Sequence, residues 1–290
     1  MKTHRYSCRK ACKTVRISRT VYGYAAKPSQ DEVVIAELER LAGKHPGYGF
    51  WKMYNRLKME GRHWNHKKVY RVYTALKLNL RRRHKRRLPA RQALAISIPA
   101  TPNRMWSLDF MTDTLYDGRK VRILNIIDDY NRQALAMEPD TSIPAKQVIQ
   151  ILERLVEAHG KPVAIRTDNG PEFISHRLTD WCHRNRIQIH FIQPGKPVQN
   201  SLIERFNGSY RKEILDAYVF YSLDELRTVT QEWMKEYNNE RPHDALGGMT
   251  PTAYVLKYGK RSALEPALRL PHFNTSDDND NDENSFKSLT

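Results

Sequence analysis

Apolar residues fall on two different rhythms along this chain. In residues 31–42 (DEVVIAELERLA), Val34, Leu38 and Leu41 recur at three- and four-residue spacing, the period of one helical face. A short helix is expected next over 48–59, then a turn at Glu60, Gly61 and Arg62, then a helix from about His66 to Leu78 with Asn65 as its cap. This is a helix-turn-helix layout. Its last helix is expected to turn His66, Lys67, Lys68, Arg71 and Lys77 outward, and Tyr70 and Leu76 inward.

From Arg104 the rhythm changes to short apolar runs. Strands are expected over 105–110, 121–127 and 133–137, then a helix over about 144–159 that buries Val148, Leu152 and Leu155 or Val156 and ends at Gly160. A strand at 163–167, a helix at 178–185 and a strand at 188–192 follow. Residues 193–199 form a loop containing Pro and Gly ahead of a last helix around Glu204. Five strands interleaved with helices fit a mixed sheet flanked by helices. Between the two rhythms, the Pro/Ala-rich stretch 88–102 has no periodicity and marks a boundary. The expected organisation is a basic helical region (1–90), a linker (91–103), an α/β core (104–260) and an acidic tail (261–290) of disordered composition.

Charge sharpens this division. The net charge is +17, yet residues 1–104 hold 26 Lys or Arg against 5 acids, residues 105–275 hold 22 of each, and the tail from Ser276 is negative. The positive charge is therefore an N-terminal property. A basic module on a near-neutral core implies an anionic polymer as partner, because Lys and Arg that neutralise phosphates release condensed counterions. The run RRRHKRR, with Arg81, Arg82 and Arg83 at its start, is a phosphate-binding candidate.

Three acids carry the candidate chemistry. Asp109 and Asp168 each close a strand-like run, and Glu204 lies in a helical segment 35 residues beyond Asp168, so the three can meet at one sheet edge. Converging carboxylates suit Mg²⁺ or Mn²⁺, hard cations that prefer oxygen. Two such ions can stabilise both the attacking and the leaving oxygen of a phosphoryl transfer. Asp128 and Asp129 read as hairpin-turn residues, and Glu172 as an acid opening the next helix. Residues three, four and seven apart share a helical face, which aligns Asn200, Ser201, Asn207, Gly208 and Arg211 with Glu204. Arg211 is a candidate phosphate clamp, and Gln199 and Asn200 are candidate contacts to a base or phosphate, with helix capping as their alternative role.

From about Gln30 to Tyr254 the chain resembles the OrfB transposases of the bacterial insertion-sequence family numbered three, whose catalytic domain is similar to retroviral integrases. The resemblance is carried by HPGYGF (45–50), NHKKVYR (65–71), SLDF (107–110), LNIIDDYNR (124–132), TDNGPEF (167–173), the stretch from IQPGKPVQN through IERFNG, and YNNERPHDALGGMTP (237–251). It implies a ribonuclease-H-like integrase core, with Asp109, Asp168 and Glu204 matching the family's catalytic and metal-binding DDE triad. It further implies DNA cleavage and strand transfer at terminal inverted repeats, a circular intermediate, a multimeric synaptic complex, and an upstream OrfA-type frame joined by frameshifting. RKACKTVRISRTVYGY (9–24) resembles the end of the family's first DNA-binding helices. No leucine heptad is visible, so a multimerising zipper is expected on the partner frame.

The remaining signals narrow the setting. Cys8, Cys12 and Cys182 have no paired spacing, which points to a reducing cytoplasm. With the DNA role that the resemblance implies, the expected location is the bacterial nucleoid. His4, Cys8 and Cys12 lack a fourth zinc ligand at finger-like spacing. There is no apolar run of membrane-spanning length and no signal peptide. A second class of function stays open: a DNA-binding protein that represses without chemistry needs the basic arm and none of the acids.

Overall fold

A computed structural model of the chain describes residues 7–25, 31–80, 98–193 and 197–259. Arg81, Arg82, Arg83, most of the expected linker and the acidic tail lie outside the described residues.

The helical region contains α1 (Cys8–Thr14), α2 (Arg19–Tyr22), α3 (Glu32–Lys44), α4 (Phe50–Met59) and α5 (His66–Ala75). The last three share a core of Val34, Leu38 and Leu41 with Met53, Leu57, Val69, Val72 and Tyr73. Asn65 caps α5 as expected, its side chain accepting from the Lys67 amide at 2.8 Å. Tyr70 does not face this core and is 51% exposed. The buried stripe runs through Val69, Val72 and Tyr73, with Leu76 only half-buried, and position 70 lies about 100° away from Val69 around the helix. Lys77 falls beyond the helix, at a φ of 57°.

The sheet has five strands in the order β3-β2-β1-β4-β5: β1 (Met105–Thr114), β2 (Lys120–Asp128), β3 (Ala134–Asp140), β4 (Ala164–Thr167) and β5 (Gln188–Phe191). Strands β1 to β3 are antiparallel, whereas β4 joins β1 and β5 joins β4 in parallel. β1 runs four residues past the expected end because Met111 continues the buried alternation and the hairpin to β2 closes only after Thr114↔Lys120. Asp109 is therefore in mid-strand.

Alternation sends successive residues of β1 to opposite faces. Trp106 and Leu108 pack on α6 (Ala145–His159) and α7 (His176–Arg184), in a core with Val148, Leu152, Leu178 and Trp181. Gly160 ends α6 at a φ of 88°. The other face, through Met111, Ile123 and Ile127, is covered by α8 (Ser201–Tyr210) and α9 (Leu223–Asn239) using Leu202, Ile203, Phe206 and Trp233. Ser107, Asp109 and Asn125 share that second face by parity, so the strand places Asp109 toward α8. Helix α10 (Pro251–Tyr258) closes the described chain.

Candidate active site

The register of β1 on β4 aligns Ser107 with Arg166. Two residues further along both parallel strands stand Asp109 and Asp168, as neighbours at the same edge. Asp168 lies just past β4, where its Oδ1 accepts from the Gly170 amide at 3.0 Å. A Cβ at Gly170 would sit 3.0 Å from that same oxygen, so a larger residue there would push the Asp168 carboxylate by a few tenths of an ångström.

Helix α8 crosses above this edge. Asn207 Nδ2 donates to Asp109 Oδ2 at 2.7 Å, while Asn207 Oδ1 accepts from Asn125 Nδ2 at 2.8 Å. Glu204 precedes Asn207 by three residues on the same helix and is exposed. The sequence grouped Asn207 with Glu204 but missed Asn125. Its signal was a single polar residue in the otherwise apolar run of β2, opposite Asp109.

Electrostatics record the convergence. The Asp109 carboxyl is pushed up to about 6, first by burial and next by the charge of Asp168; Glu204 adds to the rise, while the Phe110 amide and Asn207 oppose it. Among the described residues, no three His, Cys, Asp or Glu side chains are already gathered into a metal-ready cluster.

The neighbouring acids do structural work. Asp128 accepts from the amides of Asn103 at 2.7 Å and Tyr130 at 2.9 Å. Asp129 takes the Ser107 hydroxyl at 2.7 Å and the Arg166 guanidinium at 2.6 Å. Glu172 does not open α7; Ser175 caps that helix, and Glu172, three residues before the cap, pairs with Arg122 instead.

The candidate DNA contacts separate. Lys67 is exposed on α5, whereas Lys68 and Arg71 both reach Asp31, at 3.5 and 2.6 Å. Gln199 accepts from the Gln193 amide at 3.0 Å. Asn200 is buried at the start of α8, yet its side chain makes no capping bond. Its Oδ1 finds no partner. After Tyr210 the helix widens into a π turn, Arg211–Leu215. Arg211 there donates to the Thr112 carbonyl at 2.8 Å, which ties the end of α8 to β1 beyond Asp109.

A mixed five-stranded sheet in this order, with helices on both faces, is the fold of the integrase-core class of DNA-processing enzymes. Two family models described as integrase core domain match residues 99–197 and 185–251, and one described as HTH-like domain matches 29–86. The chain is 39% identical to the 31.7 kDa protein of insertion element IS407 from Burkholderia multivorans, over 89% of this chain and 94% of that one. It is 34% identical to the 39.2 kDa protein of IS476 from Xanthomonas euvesicatoria, covering 88% and 74%. It is 24% identical, over 80% or more of each chain, to InsK of Escherichia coli, the transposase assigned to IS150. For the fold, a chain in the cryoEM structure of a simian T-cell lymphotropic virus intasome in complex with the PP2A regulatory subunit B56 gamma superposes with a TM-score of 0.50 at 15% identity, covering 83% of this chain and 80% of that one.

The chain belongs to the insertion-sequence transposases of the OrfB type, with a ribonuclease-H-like integrase core preceded by a helix-turn-helix region. It is an enzyme that cuts and joins DNA. Among the described residues, no helix is long and apolar enough to cross a membrane.

Proposed function

We propose that Asp109, Asp168 and Glu204 are the catalytic triad of this transposase and hold two Mg²⁺ or Mn²⁺ ions, Asp109 with Asp168 for one and Asp109 with Glu204 for the other. The observation that supports the reading is the raised carboxyl of Asp109, which feels the charges of both Asp168 and Glu204 and is held by Asn207 of the same helix as Glu204. Asp168 and Glu204 both raise the Asp109 carboxyl, and the three together would offer an all-oxygen donor set whose charge a hard cation relieves. When bound, such ions supply charge stabilisation to the attacking and leaving oxygens.

The chain's own groups supply position. Asn207 fixes one oxygen of Asp109, and Asn125 fixes Asn207, so the central carboxylate turns little. Arg211, Gln199 and Asn200 are the side chains of this helix and its entrance that would contact a DNA end brought to Glu204. The reaction is transesterification. Water breaks one P–O bond at the element's end and leaves a 3′-hydroxyl. That hydroxyl then forms a P–O bond to a second phosphorus as the bond to its former 3′-oxygen breaks. No covalent enzyme intermediate is required, and rate comes from positioning and charge.

Lys67, Lys68, Arg71 and the run from Arg81 to Arg83 anchor the terminal repeats through phosphates. The working form is a homo-multimer on the bacterial nucleoid, in the cytoplasm, with an OrfA-type upstream frame fused to it or bound beside it. The test is metal-dependent cleavage of end-containing duplex by D109N, D168N and E204Q. Each is expected to lose cleavage and joining while DNA affinity stays within a few-fold, since the amide keeps the shape and loses the charge. Wild-type cleavage by any of the three would overturn the assignment.

A further inference from the structure

Two of the sequence motifs, HPGYGF and YNNERPHDALGG, have no part in the acid site, and the fold brings them together. The loop after α3 and one face of α4 dock on the end of α9 and on the π turn that continues α8. Tyr48 is 2% exposed. Its ring stacks on His45 at 4.3 Å and lies 5.4 Å from the Arg241 guanidinium. Arg241, 4% exposed, pairs with Glu213 of the π turn, which also accepts from Trp233 Nε1 at 3.0 Å. At the rim, Arg56 donates to the Glu240 carbonyl at 2.9 Å and to its carboxylate at 3.0 Å. Gly248, at a φ of 80°, lies so close to Asn55 that an added Cβ would come within 2.8 Å of Nδ2.

This seam has two properties that matter for a DNA enzyme. It spares α5, whose His66, Lys67 and Tyr70 stay exposed. It also ends on Glu213, nine residues from Glu204 along one continuous helical path, so a displacement of the helical module is transmitted to the acid. A buried, directional set of ion pairs and stacked rings resists sliding far more than an apolar contact of the same size would.

We infer that the seam is a ruler: it holds the helix-turn-helix module at one fixed offset from Asp109 and Glu204, and so selects which phosphodiester, counted from the DNA gripped by α5, reaches the acids. The inference rests on the reading of Asp109, Asp168 and Glu204 as the cutting site. Arg56 and Glu240 act as positioning residues. They are the pair to vary, since both sit at the rim and neither touches the acids.

The experiment uses the full chain, Mg²⁺, and an end-labelled duplex covering the terminal repeat of the element that encodes it, with products mapped to the nucleotide. E240R, which sets a cation against Arg56 and Lys44, is expected to lower cutting at the native phosphodiester by roughly tenfold or more and to scatter cuts onto its neighbours. Its repeat binding should match the wild type, and cutting is compared at a temperature well below the melt of each variant. The swap R56E/E240R is expected to restore the native cut to within about threefold. Amide exchange reads the docking without any chemistry: α4 and α9 should exchange faster in E240R and recover in the swap. Native-position cutting at the wild-type rate in E240R, or unchanged exchange in both helices, overturns the ruler. Metal-dependent cleavage surviving in D109N sinks the active-site reading alone, because the exchange experiment still decides the seam.

Discussion

Asp109 is the residue at which the fold's opposing demands meet. It sits in mid-strand, turned toward α8, with one oxygen held by Asn207 and two acids nearby. Its carboxyl titrates at about 6 against an ordinary 3.8, so the folded chain holds this proton more tightly than the unfolded chain does. Asp109 therefore favours the fold most below pH ~4, and that contribution is lost as pH rises through ~6. In metal-free buffer, D109N is accordingly expected to be more stable than the wild type at pH 7.5, by about 1–3 kcal/mol, and nearly equal to it at pH 4. Denaturant melts with EDTA at the two pH values check this; a variant less stable at pH 7.5 would mean that Asp109 is not repelled where it stands. The same proton competes with a cation, so Mg²⁺ binding should weaken as pH falls below ~6.

At the scale of the element, α8 is a lever with two attachments. Its middle is hung from the sheet by the chain from Asn125 through Asn207 to Asp109, and its end is tied to β1 where Arg211 meets the Thr112 carbonyl. The π turn from Arg211 widens the helix between these attachments and Glu213. The simple seven-residue alignment of Glu204 with Arg211 assumes an unbroken α-helix, which ends at Tyr210. R211A should lose the Thr112 bond, costing about 1 kcal/mol, and should reduce strand transfer more than that loss of stability explains. Joining assays at a temperature well below the melt separate the two effects. Full joining activity would leave Arg211 as a structural tie and nothing more.

For the whole molecule, the basic N-terminal charge is not uniformly available. Lys68 and Arg71 both answer the buried carboxylate of Asp31, which stands at the start of α3, so they brace the helical module as well as charging its surface. K67A is expected to lower DNA affinity and the slope of log affinity against log salt by about one phosphate's worth, with the melt unchanged. R71A should instead cost about 1 kcal/mol of stability, because Asp31 is left with fewer charged partners. Binding titrations at several salt concentrations, paired with melts, distinguish the anchor from the brace. Equal effects of the two substitutions on stability would remove that distinction.

No expectation from the sequence covered α9 or α10. Up to the helix around Glu204, the sequence by itself determined the order of helices and strands from α3 onward, the three-helix motif, the capping role of Asn65, the end of α6 at Gly160 and the structural use of Asp128 and Asp129. These are local consequences of period, turn chemistry and backbone freedom, and they need no knowledge of what lies across the molecule. It also singled out Asp109, Asp168 and Glu204, by spacing and by resemblance. Only the tertiary structure decided that Asn125 steadies the acid through Asn207, 82 residues away, and that Arg56 meets Glu240, 184 residues away. It alone turned Tyr70 outward and committed Lys68 and Arg71 to Asp31. Polar side chains such as these fit many partners equally well in sequence. Which partner each one takes depends on how the sheet and helices stack, and burial then makes that choice binding, because a polar group cut off from water must find its hydrogen bond in the fold.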